Sequence, residues 1–269
     1  LTGVAAERIE VAAGRAVAVH AGGERHAATE AILASVTPAA LLRLLGGTTG
    51  RPALDRRLAT FRHGPGTMMI HVAARDLPRW TADATLRDYA YVHLAPSMRT
   101  LSAAYAEAME GLLPAEPAIV VGQPSAIDPS RAPDGRHVLW IQVRVVPSTI
   151  RGDASGAIAA RAWDAAKEAM ADRVMAIIER YAPGTTGDVL ARTVLSPDDL
   201  ERANPNLVGG DSLGGSHQIT QNFLFRPAPG LARHRTPVAG LLMIGASTWP
   251  GAGVGAGSGY RAARQIAGG

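Results

Sequence analysis

Gly251-Ala252-Gly253 followed by Ala256 spells G-x-G-x-x-A inside MIGASTWPGAGVGAGSGYRAARQIAGG, residues 243–269. Glycine at this density lets a backbone come close to a ligand. An apolar run, 238–246, leads into the loop, and an Ala/Arg helical pattern leads out of it. A glycine loop at a helix N-terminus offers unpaired N–H groups and the positive end of a helix dipole, a combination that suits an anion. The opening phosphate loop of a dinucleotide domain needs a second strand and an acidic residue about 20 positions further on. Neither follows here, because no Asp or Glu occurs after Asp211. The loop therefore reads as a closing element of such a domain.

Gly210-Asp211-Ser212-Leu213-Gly214 fits G-x-S-x-G, the elbow that exposes a nucleophilic serine. Its context argues for a plain glycine turn. ANPNLVG precedes it where an apolar strand is needed, and His217 and His234 follow with no carboxylate to orient either. A serine hydrolase is thus the most distant reading. The eight histidines show neither H-x-H nor H-E-x-x-H spacing, and there is no cysteine, so no metal site is expected. His71 reads as structural.

At 269 residues the chain has ample core for one large domain or two small ones. Aromatics at 4% are too sparse for the stacking platforms of nucleic-acid binders, so no nucleic acid is expected. No apolar run reaches the roughly 20 residues of a membrane helix. LTGVAAERIE carries no visible signal peptide, which suggests a cytoplasmic protein and leaves a peripheral membrane position open. The chain lacks an initiator Met, so a processed product or a fragment is also expected to fit. The net charge is +4, and Arg226, Arg233, Arg235, Arg261 and Arg264 stand in a segment without acids. That segment is either a solvated face or a local anion site.

The elements that would position these residues follow from patterning. Short strands should turn at Ala13-Gly14 and Gly22-Gly23, with a buried strand at Ala31-Ile32-Leu33. Thr37-Pro38 should start a helix that buries Leu41, Leu42 and Leu45 and stops at Gly46-Gly47. Residues 48–66 read as loop, 67–74 and 118–124 as strands, and Ser97 as the cap of a helix to about Leu113. HVLWIQVRVVP, 137–147, alternates: Leu139, Ile141, Val143 and Val145 on one face, Trp140, Gln142 and Arg144 on the other. Trp163, Ala166, Met170, Val174, Ile177 and Tyr181 recur at helical spacing over 161–181 and read as core. A short helix should start at Ser196, and 204–236 is a long Gly/Pro/Asn-rich loop region, a length at which loops are usually functional. A strand at 240–246 and a helix of about ten residues flank the closing glycines.

GLLMIGASTWPGAGVGAGSGYRAARQIAG resembles the C-terminal FAD motif of phytoene desaturase-like oxidoreductases, in the amine-oxidase group of flavoproteins. GRAVAVHAGGERHAATEAILASVTPAALLRLLG, DPSRAPDGRHVLWIQV, SPDDLERANPNLVGGD and FRPAPG resemble other blocks of that family, in order. The family's N-terminal G-x-G-x-x-G and its ribose-binding Glu have no counterpart here, and Trp249 stands where the motif usually has His. The resemblance implies a mixed α/β fold. Residues 1–46 and 237–269 would be parts of a Rossmann-like FAD-binding domain, and 47–236 a substrate domain with a mixed sheet and helices.

It implies FAD as cofactor, held by Gly245, Ala246, Ser247, Trp249, Pro250, Gly251, Ala252, Gly253, Val254 and Gly255. Their N–H groups would approach the pyrophosphate, and the helix from about Val254-Gly255 would point at the flavin. It implies hydride transfer from a substrate C–H to flavin N5, the substrate being a small apolar organic molecule. Trp140, Gln142, Arg144, His217, Gln221 and Asn222 would line the substrate pocket. No catalytic acid or base is singled out. The alternative is a non-catalytic fragment or subunit that binds FAD only with a partner chain carrying the N-terminal G-x-G-x-x-G unit.

Overall fold

The computed structural model describes residues 1–253 and 256–268. Strands β1 (Ala6–Ala12), β2 (Arg15–Ala21), β3 (Glu24–Ala27) and β4 (Ile32–Ala34) precede helices α1 (Pro38–Leu44) and α2 (Pro52–Ala59). Next come β5 (Gly66–Ala74), β6 (Tyr91–Leu94), α3 (Met98–Met109), β7 (Leu112–Leu113), β8 (Ala118–Gly122) and α4 (Pro124–Ile127). They lead to β9 (His137–Val146), β10 (Gly152–Asp153), α5 (Trp163–Tyr181), β11 (Val189–Leu195) and α6 (Pro197–Ala203), then β12 (Leu241–Met243) and α7 (Gly257–Ile266). The class is mixed α/β, as expected. The chain divides into two compact units, Leu1–Gly64 with Leu213–Gly269, and Pro65–Ser212.

These boundaries differ from 46 and 236, because residues 47–64 and 213–236 pack in the first unit. The reason is α2, which the Gly/Arg/Pro-rich composition of 48–66 disguises as loop. Pro52 sits in its first turn, and Asp55 accepts from the Thr49 N–H (2.9 Å) and the Thr48 hydroxyl (2.8 Å). Its Leu58 is buried in one cluster with Leu42, Ala228 and Leu231, which joins both excursions to the first unit.

In the first unit β1, β2 and β3 form an antiparallel meander, and β4 pairs parallel with β12, Leu241 opposite Ile32. Ile9, Ile32, Leu41, Leu44, Leu241 and Met243 share its main core. Leu33, expected inside, is 45% exposed, since only Ile32 and Ala34 of the alternating strand face that core. Thr37 accepts from the Ala40 N–H and caps α1, as expected.

The second unit is a five-stranded sheet, β11-β5-β9-β8-β6, antiparallel throughout. Trp163, Ala166, Met170, Val174 and Ile178 of α5 pack into one core with Met68, Ile70, Leu139, Ile141 and Val143 of the sheet. Val145 departs from the expected alternation. The register slips between Gly66 and Thr67 of β5, Val145 takes φ +63°, and Val146 enters the core in its place. Trp140 and Gln142 are half-buried on the other face and Arg144 is exposed. The helix expected from Ser97 to Leu113 stops at Met109, and Leu112–Leu113 pairs with Gly152–Asp153 instead. Ser196 and Asp199 form a reciprocal capping box that starts α6.

Candidate functional site

β12 delivers the backbone to a loop that is tied by its own hydrogen bonds. The Thr248 N–H donates to Gly245 O (3.0 Å), the Gly251 N–H to Thr248 O (2.7 Å), and the Gly245 N–H to Ser258 Oγ of α7 (3.0 Å). These turns leave a cleft of about 460 Å³ lined by residues 245–246, 250–253 and 256–258. Among the described residues no carboxylate lines it. A Cβ at Gly253 would meet no described protein atom within 4 Å and would project into open space.

The Gly251 N–H, expected to face a ligand, is spent on Thr248 within the loop. The N–H groups of Ala252 and Gly253 have no acceptor among the described residues. Among the described residues the first intrahelical bond of α7 runs from the Tyr260 N–H to Ala256 O, and the N–H groups of Gly257, Ser258 and Gly259 find no acceptor there, as in the first turn of any helix. No acid stands in that turn. Ser247 is buried and Trp249 half-buried, and neither lines the cleft. Val254 and Gly255 lie outside the described residues.

Arg226, which the sequence offers only as one of five arginines in a segment without acids, organises this region. Arg226 is fully buried, and its guanidinium donates to five backbone carbonyls. Nε and Nη2 both reach Ala246 O (3.1 and 2.9 Å). Nη2 also reaches Leu213 O and Gly214 O (3.1 and 3.0 Å), and Nη1 reaches Ser216 O and Gln221 O (3.2 and 3.4 Å). The Phe61 ring centroid lies 6.0 Å from Cζ. Burial takes Arg226 off the solvated face offered for that segment; the signal for its actual role was its place between Phe225 and Pro227.

The expected substrate residues fall into two sets. His217, Gln221 and Asn222 share a loop of the first unit, and Trp140, Gln142 and Arg144 share a face of β9 in the second. Both ends of the Gln221 amide are taken by Arg62, whose N–H donates to Oε1 and whose carbonyl accepts from Nε2, each at 2.8 Å. Asn222 Oδ1 accepts from the Phe223 N–H (3.0 Å), and His217 is exposed. Arg144 donates to Gln142 Oε1 (3.0 and 2.8 Å), and the Trp140 ring lies 6.1 Å from that of Tyr91.

Ser212 hydrogen-bonds Thr67 Oγ1 (2.9 Å), a hydroxyl and no base. The chain reaches it from a 3₁₀ turn, Val208–Gly210, where a serine elbow needs a strand. The hydrolase reading therefore has no support in the fold. Among the described residues no group of His, Asp and Glu could hold a metal ion, and no helix is long and apolar enough to cross a membrane.

A mixed α/β architecture that ends a strand in a glycine loop and restarts as a helix defines the class of fold, and comparisons with known proteins agree with it. No family model matches the chain. It is 36% identical over 167 residues to Pyridine nucleotide-disulfide oxidoreductase domain-containing protein 2 of Mus musculus, covering 62% of this chain and 27% of that protein. It is 26% identical over 251 residues to the phytoene dehydrogenase of Streptomyces griseus, covering 92% of this chain and 44% of that protein. A crystal structure of an oxidoreductase from Methanosarcina mazei superposes with a TM-score of 0.57 at 15% identity, over 98% of this chain and 49% of that one. The last likeness shows shared fold. The chain is thus similar in sequence to oxidoreductases that include phytoene desaturases and dehydrogenases, and it spans between about a quarter and a half of the length of the proteins it matches.

Proposed function

We propose that this chain is part of an FAD-dependent oxidoreductase of the desaturase or dehydrogenase type, with the 245–258 cleft as its share of the FAD site. The observation that carries the reading is the cleft: lined by glycine, alanine, proline and serine, without a carboxylate among the described residues, and placed at the N-terminus of α7. These residues fit the group. N–H groups of Ala252, Gly253 and the first turn of α7, without an acceptor among the described residues, suit the pyrophosphate, and the space beside Gly253 that no described protein atom fills suits a ligand in close approach. When bound, the flavin supplies the hydride acceptor for a substrate C–H. The chain supplies binding, orientation and electrostatics. The Trp140 face of β9, within the second unit, is proposed to meet the substrate, a small apolar organic molecule.

A second reading is favoured by the sheet of the first unit. β4 and β12 form a parallel pair of only two strands, whereas parallel strands usually sit in larger, covered sheets. On this reading FAD binds only when a partner chain brings the N-terminal G-x-G-x-x-G unit.

A visible absorption spectrum of the purified chain, followed by denaturation and identification of the released flavin, separates the two. FAD released from the chain alone supports the first. FAD found only on co-expression with a G-x-G-x-x-G-bearing chain supports the second. No flavin in either case sinks both.

A further inference from the structure

We infer that Arg226 is the positioning residue of this site: its guanidinium clamps the loop 213–221 to the Ala246 carbonyl and so fixes the segment that lines the cleft. Regular ladders pair the carbonyls of strands and helices, but 213–218 and 246 run through irregular chain and Gln221 ends a single 3₁₀ turn, Ile219–Gln221. Their carbonyls need another donor once buried. Arginine alone offers five N–H groups in a rigid planar fork, and here all three nitrogens are engaged, on five carbonyls from both segments.

The surroundings are cut to this contact. Gly214 lies so close to the second segment that a Cβ would come within 2.7 Å of Ala246 Cβ. At Gly215, with φ +133°, a Cβ would fall 2.3 Å from Phe61 Cζ, the ring that lies 6.0 Å from the guanidinium carbon. The Arg226 Nε also stands 3.6 Å from the position a Cβ would take at Gly251, so the clamp reaches the cleft lining itself. One side chain thereby couples the loop that carries His217 and Gln221 to the loop proposed for the cofactor. The ligand arm of this inference rests on that proposal, while the clamp does not.

Hydrogen exchange on the purified chain reads the clamp directly, through the Gly245, Thr248 and Gly251 amides on one side and the Ser216 and Gln221 amides on the other. The variants are Arg226→Met, Arg226→Lys and, as a control destabilised in the same unit, Leu58→Ala. Exchange in 213–222 and 244–253 should rise together in Arg226→Met, roughly tenfold or more, as for loss of one hydrogen bond to a charged group. Arg226→Lys should recover only part of it, and Leu58→Ala should raise exchange without favouring these segments. Unchanged exchange in 244–253, or a rise spread as in Leu58→Ala, overturns the inference. If Arg226→Met does not fold, Arg226→Lys decides on the same segments, and failure of both to fold assigns Arg226 a plain folding role. Titration with FAD should then show affinity lowered by a similar factor in Arg226→Met and kept in Leu58→Ala; equal affinities overturn the positioning role. A wild-type chain that binds no FAD defeats the proposed function but leaves the exchange result to decide the clamp.

Discussion

The Trp249 indole leans on the Phe223 ring, with centroids 5.8 Å apart and planes inclined by 41°. Phe223 is 57% exposed and holds φ +50°, with its N–H on Asn222 Oδ1. The pair therefore joins the cleft loop to the 213–226 segment from outside, as Arg226 does from inside. Phe223→Ala should cost the first unit about 1 kcal/mol, the value of an aromatic pair. Alanine meets the same backbone strain, so strain relief does not mask the loss. Urea melts give the energy, and the Trp249 emission, isolated by subtracting a Trp249→Phe variant, should shift to the red. An unshifted emission would show that the ring contact does not hold the indole.

Gly253→Val tests the cleft. The valine would fill space that no described protein atom occupies, at a backbone φ of +155° that side chains avoid. FAD content after purification should fall to background, while exchange protection of α5 in the second unit stays at wild-type level. Stoichiometric FAD in the variant would move the cofactor away from this loop.

Trp140→Ala addresses the proposed substrate face. Trp140 is half-buried against Tyr91, and its carbonyl closes on Gly122 so tightly that a Cβ there would lie at 2.9 Å. The strand backbone is thus fixed independently of the indole. FAD content should be unchanged and KM for a turned-over substrate should rise. Wild-type kinetics across several apolar substrates would remove this face from the pocket.

The strongly periodic elements were legible because burial imposes their pattern. α5 repeats its apolar residues at helical spacing, and β9 alternates until the bulge at Val145. α2 was hidden because only Leu58 of its eight residues is buried, and an exposed arginine-rich helix resembles loop. β6 and β11 went unread for a related reason: they are edge strands, with exposed residues such as Tyr91 and Leu190. The glycine loop was legible from composition, but its internal bond from Gly251 to Thr248 was not. Arg226 was least legible, since the carbonyls it collects meet only in the fold.

Asp153 and Arg173 give the second unit a pH-dependent support. The Asp153 carboxylate is nearly inaccessible and accepts from Arg173 Nη2 (2.7 Å) and the Ile158 N–H (2.9 Å). Burial alone would raise its pKa, but the bonds from Arg173, Ile158 and Ser155 outweigh that and hold the carboxyl well below its ordinary 3.8. A depressed pKa gives stability that is present above the unfolded value and lost as pH falls through the folded one. Asp153→Asn should destabilise the unit by about 3 kcal/mol at neutral pH, as for a broken buried pair. The gap from wild type should narrow below about pH 4, where the unfolded carboxyl binds its proton. Denaturant melts at both pH values check this, and a constant gap would refute the ion pair as its source.

His234 sets a limit of the same direction, also on the acid side, on the first unit. It is 1% exposed, and its Nδ1 lies 3.2 Å from Met243 O, which can only accept, so Nδ1 carries the proton and Nε2 is bare. Nε2 has no partner among the described residues. Burial lowers the pKa, the Met243 carbonyl opposes this, and the Arg261 charge adds to the lowering. The unfolded chain therefore takes up this proton more readily than the folded one. Stability is constant above about pH 6.5 and falls as pH drops toward the folded pKa. His234→Asn should remove this slope, because asparagine tolerates the φ of +69° and does not titrate. Thermal melts at pH 5 and 7.5 should separate wild type, which loses several degrees, from the variant, which loses less. Equal losses in the two proteins would assign the acid sensitivity to other groups.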